Sequence, residues 1–129
     1  MTFETRQIGP SPDARAPDGA EVRVLCRLAG ASMAHFTLPP GAVSKAVAHR
    51  TVEEVWYVLA GRGRMWRMRA GREETVALAA GLSITIPLGT HFQFRCDGAE
   101  PLAAVGVTLP PWPGEDEAYG VEGPWRATL

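Results

Sequence analysis

Glycine and proline cut residues 21–109 into short apolar segments at nearly even intervals, and that punctuation leaves little choice of fold. The segments are 32–38, 53–60, 64–69, 74–79, 82–86, 90–96 and 102–109. Before them, Val22, Val24, Cys26 and Leu28 alternate with Glu21, Arg23, Arg27 and Ala29, the period of two expected of a half-buried strand. Pro39-Pro40-Gly41, Gly61-Arg62-Gly63, Ala70-Gly71, Ala80-Gly81, Pro87-Leu88-Gly89 and Asp97-Gly98 separate them. No helical window survives: Gly61 and Gly63 interrupt the best one, and Val55-Trp56-Tyr57-Val58 favours a strand. The pattern predicts an all-β sandwich or barrel.

Three regions follow. Residues 1–20 carry Pro10, Pro12, Pro17, Gly9 and Gly19 and read as an extended arm. Residues 21–109 form the barrel. Residues 110–129 begin Pro110-Pro111-Trp112-Pro113-Gly114, too rich in proline for a sheet interior. Trp112 and Trp125 are costly to expose, so this tail is expected to pack on the barrel or across a dimer interface. At 129 residues the chain suits one domain, with a core large enough to need no metal or disulfide.

Charge and composition exclude several functions. Thirteen basic against fourteen acidic residues argue against a general nucleic-acid binder. No apolar run approaches a membrane helix, and Cys26 and Cys96 match no zinc spacing or disulfide framework. A cytoplasmic, thiol-reduced protein is expected. The arginines at 62, 64, 67, 69 and 72 read as a solvated hairpin. Histidine occurs only at 35, 49 and 91, so imidazole chemistry must use those positions. His35 is out of phase with Ala34, Phe36 and Leu38 and is expected to face solvent or an interface.

Gly41, His49, Glu54 and Gly61, followed by Gly81, Pro87 and Gly89, resemble the two motifs of the cupin family. The resemblance spans 21–109 and implies a double-stranded β-helix, or jelly-roll barrel. Members typically hold a divalent metal on three histidines and a glutamate. Here Val47 takes the place of the first histidine and Phe92 that of the last, which leaves His49 and Glu54. The expectation is therefore no cofactor or a weakly bound divalent metal, on His49 and Glu54 with His91 if a third ligand is recruited. If the family register holds, Phe92 and Phe94 face inward and His91, Gln93 and Arg95 outward.

Glu54, Trp56 and Val58 alternate, so Trp56 shares the interior with Glu54. The leading expectation is a small-molecule acid/base enzyme of isomerase, cyclase or lyase type, acting on an anionic or carbonyl-bearing substrate. His49 would be the base and Glu54 its orienter or the acid, with Trp56, Arg64, Trp66, Phe92 and Phe94 contacting substrate. Alternation lets one arginine of 62–69 enter the barrel. A metal-dependent dioxygenase or isomerase, and a non-catalytic sensing module, are the alternatives. His49 and Glu54 are also readable as a paired structural remnant of a lost metal site. The expected partners are a small ligand and a second copy of the chain, with no nucleic acid and no membrane.

Overall fold

A computed structural model describes residues 2–129. Eleven strands are named in chain order: β1 (Ala14–Arg15), β2 (Glu21–Arg27), β3 (Ser32–Leu38), β4 (Val47–His49), β5 (Glu53–Ala60), β6 (Arg62–Arg69), β7 (Arg72–Ala79), β8 (Ser83–Ile86), β9 (His91–Cys96), β10 (Leu102–Leu109) and β11 (Ala118–Gly120). One turn of 3-10 helix, Glu115–Glu117, lies in the tail. The fold is all-β, in two antiparallel sheets ordered β1-β2-β3-β10-β5-β8 and β11-β4-β9-β6-β7.

The alternation read from the sequence becomes the alternation of burial. On β5, Glu54, Trp56 and Val58 are buried, while Val55, Tyr57 and Leu59 between them are exposed. On β10, Gly106 stands between Ala34 of β3 and Trp56 of β5. A Cβ at Gly106 would lie 2.7 Å from Phe36 Cε2 and 3.0 Å from Trp56 Cδ1. Glycine there lets the Phe36 and Trp56 rings stack, 5.3 Å apart at 18°.

One half of the interior is solid. Leu38, Val58, Met65, Leu78, Phe94, Cys96 and Leu102 are almost wholly buried there. Trp56 borders this half, with its ring edge-on to Phe94 at 5.0 Å.

Both chain ends lie on the barrel. In the arm, β1 pairs with β2, the Asp13 carboxyl accepts from the Val24 amide, and Arg23 donates to the Gly9 and Pro10 carbonyls. In the tail, the Gln93 side chain donates to the Ser44 and Trp125 carbonyls and accepts from the Trp125 amide. Arg64 and Arg95 lie over the Trp125 ring at 5.6 and 5.3 Å. Three strands that alternation did not predict, β1, β4 and β11, are two or three residues long. The 3-10 turn likewise has no counterpart in the sequence expectation. No helix among the described residues is long and apolar enough to cross a membrane.

Candidate functional site

The other half of the interior is open. A cavity of about 300 Å³ lies between the sheets, walled by Val22 and Val24 of β2, Phe36 of β3, Val47 of β4, Trp56 of β5 and Phe92 of β9. The arm adds Ala16, Pro17 and Asp18, and the tail adds Trp112 and Ala118. Arg15, Arg27 and Glu115 reach it from exposed positions. Three buried titratable side chains line it: Asp18, His49 and Glu54. Such a concave apolar site with a few convergent polar groups is the usual form of a small-molecule pocket.

His49 ends β4 and faces the aromatic wall. Its ring is edge-on to Phe92 at 5.3 Å and to Trp112 at 5.2 Å. Its Nδ1 is buried with no hydrogen-bond partner among the described residues. Burial pushes the imidazole down to about 4, against the pull of the Glu117 carboxylate, so the ring is neutral at pH 7.

Glu54 enters from β5 and is 5% exposed. Trp56, two residues on and therefore on the same face, donates its Nε1 hydrogen to Glu54 Oε2 at 3.2 Å. Burial pushes the carboxyl up to about 8; the Trp56 hydrogen bond opposes this and the Asp18 carboxyl adds to it. At pH 7 Glu54 is mostly a neutral acid.

Asp18 comes from the arm. Its Oδ1 accepts from the Ala20 amide at 2.9 Å. Burial raises it to about 6, against the Ala20 hydrogen bond and the charge of Lys45. Of the two buried carboxyls in the cavity, Asp18 is the one mostly ionised at pH 7.

The chain corner that carries His49 into Glu54 is held by the tail. Glu117 accepts from the Thr51 amide (2.6 Å), the Thr51 hydroxyl (2.5 Å) and the Val52 amide (2.9 Å). Burial pushes Glu117 up, but these hydrogen bonds outweigh it and hold the carboxyl below its ordinary value. Near the opposite wall, the Ser32 and Thr108 hydroxyls share a hydrogen bond at 2.6 Å, and the Trp112 amide donates to Ser32 Oγ at 2.9 Å.

The structure thus brings His49, Glu54, Trp56 and Phe92 together and leaves four sequence candidates outside. Arg64 is exposed on the outer face of β6, bonded to Asp97 at 2.8 Å, because Met65 takes the inward position. Trp66 is buried but does not line the cavity, and its Nε1 donates to Glu73 Oε2. Phe94 faces inward into the solid half, behind Trp56. His91 pairs in register with Met68 and does not reach the cavity. The arginine in the same alternation set as Met65 is Arg67, which donates to the Thr85 carbonyl and to Glu74. The expected His49–Glu54 pair is also corrected: Glu54 is hydrogen-bonded by Trp56, and the carboxylate acting on His49 is Glu117. Sequence reading missed Asp18 and Glu117 and assigned Trp112 no place in the site. Pro17-Asp18-Gly19, a turn signature just before a strand, was the available signal for Asp18.

A resident divalent metal does not fit these residues. Val47 and Phe92 offer no lone pair, and the Trp56 indole hydrogen occupies one oxygen of Glu54. Among the described residues no three His, Cys, Asp or Glu side chains gather as a ligand set, whereas catalytic zinc usually takes three protein ligands.

Comparison with known proteins places this geometry in context. A family profile described as "Cupin domain" matches residues 34–108. The fold superposes on Bacillus subtilis oxalate decarboxylase with a TM-score of 0.71 at 20% identity, over 86% of this chain and 30% of that one. It also superposes on an uncharacterized conserved protein with a double-stranded beta-helix domain from Klebsiella pneumoniae, with a TM-score of 0.66 at 17% identity, over 92% and 91% of the two chains. The chain therefore spans under a third of the decarboxylase chain, and at these identities the likeness is one of fold. No curated protein matches it in sequence.

Proposed function

Because the chain belongs to the cupin family, we propose that it binds a small molecule between its sheets and acts on it by proton transfer, as an isomerase, cyclase or lyase, without a resident metal. The observation that carries this reading is the pairing of opposite protonation habits in one apolar cavity. His49 is a neutral imidazole with Nδ1 unengaged, and Glu54 is a carboxylic acid that keeps its proton at pH 7. One can accept a proton and the other can donate one, with no net charge to solvate. Trp56 orients Glu54, while Phe92 and Trp112 fix the plane of His49. The aromatic walls exclude water from the transfer.

In this proposal the arm and tail are site-building segments around the 21–109 barrel. The working form is a cytoplasmic homodimer. Both cysteines are free thiols, in keeping with a reducing compartment. The outer face of the larger sheet presents Val55, Val107 and Met33 in one cross-strand row, with Tyr57 and Leu59 beside it, as an apolar surface for a second copy.

Deuterium incorporation from solvent, followed by NMR over a panel of small aldehydes, ketones and 2-oxo acids, tests the chemistry without the natural substrate. Wild type should exchange a carbonyl-activated C–H, and His49→Ala and Glu54→Gln should each slow this by roughly 10²–10⁴. Exchange that survives in both variants removes them from the mechanism. Binding without exchange favours the second reading, a sensing module, which the lowered basicity of His49 supports.

A further inference from the structure

The cavity holds one buried acid that proton transfer between His49 and Glu54 does not use. Asp18 is 7% exposed, lines the cavity, and has no cationic side chain within salt-bridge distance among the described residues. Its Oδ1 is engaged by the Ala20 amide, and among the described residues no hydrogen bond reaches Oδ2. Lys45 is the basic residue that acts on it, and Lys45 itself is exposed. A buried carboxylate is costly unless a cation meets it. The same space is lined by Phe36, Trp56, Phe92 and Trp112, aromatic rings whose π faces attract cations. His49, a second buried polar residue, lines the same cavity, and its Nδ1 has no hydrogen-bond partner among the described residues.

We infer that Asp18 is the counter-ion for an ammonium group of the ligand, so that the cavity takes small amines with an apolar or aromatic body. This deepens the small-molecule reading above and replaces the anionic substrate expected from sequence. The ammonium sits on the arm side, against Asp18, and leaves His49 and Glu54 to the rest of the molecule. Arg15 and Arg27, exposed at the mouth, are the features that would instead favour an anion, and the test sets the two against each other.

Three probes share a phenyl body and differ in head group: 2-phenylethylamine, 2-phenylethanol and 3-phenylpropionate. Their affinities for the full chain at pH 7 are measured by calorimetry and by quenching of tryptophan emission. The amine should bind at least about tenfold more tightly than the alcohol, as expected for a charged head group meeting a desolvated carboxylate. Asp18→Asn keeps an oxygen for the Ala20 amide and should reduce that preference to within about twofold while leaving the alcohol unchanged. Glu54→Gln should leave the preference in place. The wild-type ranking decides the matter even where a variant fails to fold. Tightest binding by 3-phenylpropionate overturns the inference, as does an amine preference that survives Asp18→Asn or vanishes in Glu54→Gln; the cavity reading then stands. Binding of none of the three overturns both. An amine preference without solvent exchange keeps this inference and sinks the catalytic one.

Discussion

The two halves of the barrel interior come from the same strands and obey opposite rules. β5 sends Val58 into the solid half and Glu54 into the open one, and β9 does the same with Phe94 and Phe92. In the solid half Leu38, Val58, Met65, Leu78, Phe94 and Leu102 pack with the Cys96 thiol, whose Sγ lies 3.1 Å from the Glu100 carbonyl. In the open half Asp18, His49 and Glu54 are buried without ion-pair partners among the described residues. Trp56 is the partition, touching Phe94 on one side and Phe36 and Glu54 on the other. The lesson is that stability and reactivity are separated by position along a strand, so a substitution a few residues away should change a different property.

The largest effect should come from the solid half. Phe94→Ala should lower stability by about 3–5 kcal/mol in chemical denaturation, because a close-packed interior cannot collapse onto the void. A loss below ~1.5 kcal/mol would mean that half is loosely packed too.

At the partition, Gly106→Ala should push the Phe36 and Trp56 rings toward the cavity. A loss of about 1–3 kcal/mol is expected, together with weaker binding of the phenyl probes. An unchanged melting temperature and unchanged binding would show that the close approach is not limiting.

In the open half, pH replaces packing as the lever. A carboxyl raised to about 8 binds its proton more tightly in the folded chain than in the unfolded one. Its contribution to stability is therefore full below its ordinary value and is lost as pH climbs through 8. Asp18, at about 6, and the unfolded-state imidazole of His49, near 6.5, still titrate at pH 6.5, but their effects above it have opposite signs and cancel to within about 0.3 kcal/mol. Between pH 6.5 and 8 wild type should accordingly lose about 2 kcal/mol, and Glu54→Gln should be flat. A flat wild-type curve would mean that Glu54 is not held as an acid.

The smallest effect should follow chelation. Since the donors do not gather, prolonged EDTA treatment should move the melting temperature by less than ~1 °C, because only a tightly bound ion stabilises by mass action. A drop of several degrees would return a metal to the open half.

The longer strands were legible because period-two alternation and glycine punctuation agree over seven or eight residues, as in Glu53–Ala60 and Leu102–Leu109. β4 and β11 were not, since three residues hold no period. The site was half legible. Glu54 and Trp56 share a face by simple counting. His49 follows from the motif, but its partner does not, because Glu117 reaches the corner after Thr51 across sixty-six residues of sequence. Asp18 lay hidden in a segment that reads only as an extended arm, while the structure buries it. Arg64 misled because a strand offers each face to every second residue, and nothing in Arg64-Met65-Trp66-Arg67 says which set turns inward.

Asp18, Trp112 and Glu117 all lie outside the matched segment 34–108. A chain cut back to that segment would keep strands of both sheets but lose one wall of the cavity, one of its buried carboxyls and the brace on the corner between His49 and Glu54. The ligand site is therefore assembled by the flanking segments, and they, more than the matched core, set what the pocket holds.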